Sequence, residues 1–359
     1  MNDERWESGY SEGNPQDIPS GIEESNHMEN YMQQPLKKPG MNREWAGGMF
    51  FLIIVLVHVL NGFFNPIKNP VASIVVTQLL IAIPAFIYML CWKENPFRFM
   101  RFRKFHIGSF FLIPVFMFCL LPVMGLLNAI SMLFSTNVIG GEISDITGGS
   151  LWIGLLCVAL LPAFVEESTF RGAIYHSLRG ARPVRTIILS GLMFGAMHMN
   201  FNQFVYATVL GIVMGFLLEA TGSIVSTMLL HFCFNANSVI LMWLLPKMYE
   251  LLEKMAPGEY EQAMNTAMNY SPKEVLSMIV LLIPMAAIGG GLAFLLYYCI
   301  ARLNKRWYYI CFLFSKSTKD QRDSYPKPKV VTVCAIIGFA ICFAFCVLNE
   351  LVARGIIHL

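Results

Sequence analysis

The chain has 359 residues, 56% of them hydrophobic and 14% charged, with a formal net charge of +3. Its mean hydropathy is +0.56. Soluble domains carry about 25% charged residues. The composition therefore excludes a soluble enzyme, a disordered chain and a disulfide scaffold, and it predicts an all-α, polytopic transmembrane helix bundle. No basic stripe suited to nucleic acid is present. The nine cysteines lie mostly in apolar runs and read as buried thiols.

Residues 1–44 carry nine acidic and four basic side chains without an apolar period, which predicts a disordered acidic cytoplasmic tail. The tail lacks the basic start and short apolar core of a signal peptide. Apolar segments follow at 47–66, 71–91, 107–133, 150–176, 186–200, 203–219, 223–245, 275–300 and 330–352. A crossing helix needs about 20 residues, so 186–200 and 203–219 are short and the count is eight to nine membrane segments. Pro84, Pro114, Pro162 and Pro284 fall inside segments, where missing N–H groups predict kinks. The chain divides into the tail, N-terminal membrane helices over 45–149, a four-helix core over 150–245, and C-terminal helices with a basic cytoplasmic loop over 246–359.

Loop charges predict the orientation. Lys93, Arg98, Arg101, Arg103 and Lys104 occupy 92–106, Arg179, Arg182 and Arg185 occupy 177–185, and eight basic residues run from Arg302 to Lys329. The alternate loops hold few bases. Basic loops stay in the cytoplasm, so the N-terminus is expected inside and the C-terminus outside.

Ionisable side chains within apolar segments are costly, and each is a functional hypothesis. They are His58, Glu166, Glu167, Arg171, His198, Glu219, His231 and Glu350. Glu219 and Glu350 lie at segment ends, where hydration or snorkelling explains them. His58 is isolated and reads as a packing residue hydrogen-bonded to a neighbouring helix. Glu167 and Arg171, four apart, share a helix face and can pair. Glu166 is rotated by about 100° and can face the bundle interior. His231 and Asn235 are one turn apart on one face. Counted at about 1.5 Å per residue, Glu166, His198 and His231 lie roughly 12–18 Å from the cytoplasmic ends of their helices. This predicts one shared site on the cytoplasmic half. Gly191 and Gly195, and Gly211 and Gly215, form small-xxx-small faces that allow close helix approach.

Glu166-Glu167-x-x-x-Arg171, Phe194-x-x-x-His198 and His231-x-x-x-Asn235, in this order on hydrophobic helices, resemble the three motifs of the CPBP family. That family comprises the type II CAAX prenyl endopeptidases and their bacterial relatives, including bacteriocin-processing and immunity proteins. The resemblance spans about 150–240 and shows no departure at the motif positions.

The resemblance implies an intramembrane endopeptidase acting on a hydrophobic or membrane-associated peptide or protein. Glu166 would be the general base, His198 would orient the water, and His231 and Asn235 would donate to the oxyanion, with Glu167 and Arg171 ordering the site. Zinc is a candidate cofactor, because Glu166, His198 and His231 are a ligand set that zinc accepts, but a metal-free glutamate mechanism fits the same residues. Two alternatives stay open: a catalytically silent scaffold with an immunity or regulatory role, and a transporter in which Glu and His relay protons. The bacterial plasma membrane is the expected location, and the lipid bilayer is the expected partner besides the substrate.

Overall fold

A computed structural model describes residues 43–64, 66–91, 95, 97, 100–136, 150–178, 183–255, 271–314 and 331–357. The expected disordered tail lies outside the described residues except for Arg43 and Glu44, which begin the first helix. Lys93, Arg98, Arg179, Arg182 and the bases from Lys316 to Lys329 also lie outside them.

The described residues are mostly helical and contain no strand, in line with the expected all-α bundle. The helices are α1 Arg43–Phe64, α2 Pro70–Cys91, α3 Ile107–Ser131, α4 Leu151–Leu178, α5 Pro183–Met197, α6 Phe201–Thr221, α7 Ile224–Met255, α8 Pro272–Leu303, α9 Trp307–Leu313 and α10 Val333–Ala353. Eight of them are long and apolar enough to cross a bilayer. Lipid offers no partner for backbone polar groups, and helices satisfy these groups internally.

Two segment lengths differ from the sequence reading. α6 has 21 residues rather than a short run, because Asn200 caps its start through bonds from the N–H groups of Asn202 and Gln203. α7 continues through Pro246 to Met255 and so passes the expected boundary at 245. α5 is short as expected. Its 15 residues span about 22 Å, against about 30 Å of hydrocarbon.

α3 packs along α8, α5 along α6, and α10 along α1. The α5–α6 seam is a close backbone approach. A Cβ on Gly191 would meet Ile212 N at 2.9 Å, and one on Gly211 would meet Gly191 Cα at 3.0 Å. The small-residue faces therefore do what their spacing predicts.

Polar contacts gather the helix ends into two sets. At one end, Arg101 binds Glu219, Ser223 Oγ donates to Arg103 O, and His106 N donates to Asn304 Oδ1. At the other end, Thr136 N and Oγ1 donate to Glu350, and Asn349 Nδ2 donates to Met199 O at 2.9 Å. The basic residues Arg101, Arg103, Lys305 and Arg306 thus share one end, and successive helices alternate in direction.

Glu350 fits the hydrated-end expectation: its side chain is partly exposed and pairs with Arg354 at 2.7 Å. Glu219 does not. Its side chain is fully buried and binds Arg101 Nη1 at 3.0 Å, Arg306 Nη2 at 3.5 Å and the Tyr175 hydroxyl at 2.8 Å. Loop residues fold back over the end of α6 and replace the water that the sequence position suggested.

Candidate active site

The site is built mainly on α4, whose helix is interrupted twice. Leu155–Leu160 and Ser168–Ile174 form wide π-helical turns on either side of Glu166-Glu167. Such turns re-aim side chains and are frequent at functional sites. Pro162 has no N–H to offer the Val158 carbonyl four residues back. Asn235 Nδ2 donates to that carbonyl at 3.1 Å. The expected oxyanion donor is thus bonded to the α4 backbone and clamps α7 to it.

Glu167 is fully buried and forms the centre of a charge cluster. Its Oε1 accepts from Arg171 Nη1 at 2.7 Å and lies 3.0 Å from His231 Nδ1. The expected pair between Glu167 and Arg171 is therefore present. Arg171 Nη2 reaches past the side-chain-free Gly211 to donate to its carbonyl at 3.0 Å.

Phe194 organises the rest. The Arg171 guanidinium lies over its ring, 4.4 Å from the centroid, a cation–π contact favoured in low dielectric. The rings of His198, His231 and Phe170 meet it edge to face at 5.1, 5.8 and 5.3 Å. The phenylalanine of the second motif thus holds members of all three motifs against one another, a role its sequence position did not reveal.

The hydrogen bonds decide the roles of the histidine nitrogens. His198 Nδ1 lies 2.9 Å from Phe194 O. A carbonyl only accepts, so Nδ1 carries the proton and Nε2 of the neutral ring is an acceptor. His231 Nδ1 donates to the Glu167 carboxylate, so its Nε2 can donate only when the ring carries both protons. That Nε2 is 3.9 Å from Glu166 Oε2. With His231 doubly protonated, the charges of Glu166, Glu167, Arg171 and His231 cancel.

Glu166 faces a cavity of about 200 Å³, lined also by His58, Thr77, Gln78, Phe194, His198 and Gln203. At about 30 Å³ per water, it has room for several waters. The Glu166 side chain is 16% exposed and that of Glu167 is 0%, so Glu166 is the carboxylate that reaches the cavity. Gln78 Nε2 on α2 donates to Glu166 Oε1 at 2.8 Å. The sequence reading passed over Gln78 because it weighed only ionisable side chains. A lone amide in an apolar run was the available signal.

Two expectations are corrected here. His58 lines this cavity and its Nδ1 is buried without a hydrogen-bond partner, so it is not a packing residue bonded to a neighbouring helix. The cavity also lies away from the basic end. Asn61 near the end of α1 bonds Thr77 at 2.9 Å, and Gln203 begins α6 opposite its Glu219 end. Residues 167–175, between Glu166 and the basic end, are all buried. Counting depth at one rise per residue located the helices but could not tell the packed side from the hollow one.

Among the described residues, no three His, Cys, Asp or Glu side chains are grouped as a metal site. Glu166 Oε1 is already held by Gln78. Glu166, His198 and His231 are not grouped as a three-ligand set in this arrangement.

The fold and site define a helical membrane protein with a buried carboxylate–arginine–histidine cluster beside a cavity lined in part by polar side chains. Residues 147–237 match the family described as type II CAAX prenyl endopeptidase Rce1-like, a segment that takes in α4, α5, α6 and the part of α7 bearing His231 and Asn235. This is the family that the three motifs resemble, a family of membrane proteases. No curated protein and no solved structure matches the chain.

Proposed function

We propose that the protein is an intramembrane endopeptidase in which Glu166 activates a water held in the cavity. One observation carries this reading: of the two adjacent glutamates, Glu167 is sealed in an ion cluster and Glu166 faces the cavity beside His198. The His198 Nε2 acceptor orients the water. Glu166 Oε2 takes one of its protons while the oxygen attacks the peptide carbonyl. Doubly protonated His231 stabilises the oxyanion through Nε2–H. The C–N bond then breaks, and the proton on Glu166 passes to the leaving amine. Two products form from peptide and water, and the carboxylate is restored. Basic loops on one end support a cytoplasmic location for that end, so the substrate is a hydrophobic peptide segment that enters from the opposite side. A bacterial plasma membrane suits such a topology.

The test is cleavage of a quenched fluorescent hydrophobic peptide by the purified protein in detergent or proteoliposomes. Glu166→Gln, His198→Ala and His231→Ala should each lower kcat by at least about 100-fold, as for loss of a positioned base or oxyanion donor. Double variants should cost little more than the worst single one, because groups acting as a unit are non-additive. Cleavage at the wild-type rate by the Glu166→Gln protein would refute the assignment, and a phenotype kept by that variant in cells would favour the scaffold reading.

A further inference from the structure

The cavity has a wall that the family-matched segment does not supply. α1 contributes His58, and α2 contributes Thr77, Gln78 and Ile81. These helices lie outside residues 147–237. The bond between Asn61 and Thr77 fixes their register. Gln78 joins the two parts of the site by donating to Glu166 Oε1 at 2.8 Å.

Two polar atoms on this wall have no hydrogen-bond partner, Gln78 Oε1 and His58 Nδ1. A buried polar group without a partner is costly, and more so in a membrane. Such groups are not explained by packing, because an apolar side chain of the same shape would serve better. His198 and Glu166 are the titratable neighbours of His58. An acceptor and a ring nitrogen thus stand unpartnered beside the carboxylate that the reaction uses.

We infer that Gln78 and His58 are positioning residues for Glu166, and that the N-terminal helices complete the active site. Gln78 holds Oε1 and leaves Oε2, the oxygen facing His231 Nε2, free to take the proton. His58 adds a second polar group to the cavity wall beside Glu166 and His198. The inference rests on the proposed role of Glu166, but its consequence for that carboxyl can be read without peptidase activity.

The experiment has two arms on the purified full-length protein. The first measures kcat and KM with the hydrophobic peptide. Gln78→Met and His58→Leu should each lower kcat by about tenfold or more, as for a misplaced catalytic group, with KM unchanged within about twofold. His58→Gln, which keeps a hydrogen-bonding group, should recover most of the loss. The second arm follows modification of Glu166 by a hydrophobic carbodiimide, mapped by mass spectrometry. Gln78→Met frees Oε1 from its donor, so labelling of Glu166 should speed by at least about tenfold, the weight of a lost hydrogen bond to a charged group. If Gln78→Met fails to fold, Gln78→Leu removes the same donor with a smaller apolar side chain. Unchanged labelling in the folded Gln78 variants would overturn the inference. Altered labelling with no cleavage by the wild-type protein would keep the positioning role and reject the protease reading.

Discussion

His231 Nδ1 lies 3.0 Å from Glu167 Oε1, and this one hydrogen bond fixes which face of the ring is turned toward Glu166. In the proposed reaction Glu167 therefore acts only through others. It anchors Arg171 and aims His231, while Glu166 beside it stays within reach of water. On that proposal, burial and ion pairing separate two adjacent residues of one helix into a structural and a chemical role.

That separation predicts opposite outcomes for two similar substitutions. Glu167→Gln leaves Arg171 buried without its anion and should destabilise the protein by about 3–5 kcal/mol, the general cost of breaking a buried ion pair. Glu166→Gln keeps the hydrogen-bonding shape and should fold like the wild type while losing activity. Thermal unfolding followed by size-exclusion chromatography reads both. Equal stability of the two variants would refute this division of roles, and loss of stability by Glu166→Gln alone would reverse it.

A second cluster should behave in the same way far from the cavity. Glu219 is buried at the end of α6 and holds Arg101, Arg306 and Tyr175. Arg306 Nε also donates to its backbone carbonyl. Glu219→Ala leaves two guanidinium groups at a buried end and should cost about 3–5 kcal/mol. Protease nicking in the segments around 101 and 306 should rise with it. Peptide cleavage by the protein that remains folded should be close to wild type, because the cluster lies on the packed side of Glu166.

The sequence revealed the motif residues but not their partners, for a physical reason. Glu167 and Arg171 are one turn apart, so their bond follows from helix geometry. The bond from Gln78 to Glu166 joins residues 88 apart, and that from Arg101 to Glu219 joins residues 118 apart. Such pairs depend on how helices pack, and hydropathy does not encode that. Glu219 illustrates the error this produces: a charge at a segment end looks hydrated until another loop is found to cover it. Asn235 illustrates another. Its place one turn from His231 was read correctly, but its partner, the Val158 carbonyl, lies on a different helix 77 residues away.

The alternating helix directions give a topology test on described residues. Lys68 and Lys305 are both exposed and belong to opposite ends of the bundle. Positive charge favours the cytoplasmic side, so Lys305→Cys, in a cysteine-free background, should react with an impermeant thiol reagent only after the cells are opened. Lys68→Cys should react in intact cells. The reverse pattern would invert the assignment of every helix.

The side from which the cavity is reached follows from the same frame. Its lining runs from Phe170 and Phe194 to Thr77 and Gln203, and the residues between Glu166 and the basic end are packed without exposure. Water and substrate should therefore arrive from the end away from Arg101 and Arg306. Gln203→Cys, in the cysteine-free background, should react with an impermeant thiol reagent added on the side that labels Lys68→Cys. The attached group should block peptide cleavage, since about 200 Å³ cannot hold both it and a peptide segment. Saturating hydrophobic peptide should slow the reaction by occupying the same space. In sealed proteoliposomes of known orientation, an impermeant peptide added to the Lys68 side should be cleaved, and one added to the Lys305 side should not. Labelling of Gln203→Cys from the basic side alone would show that the packed half opens, and it would place the entrance on that side.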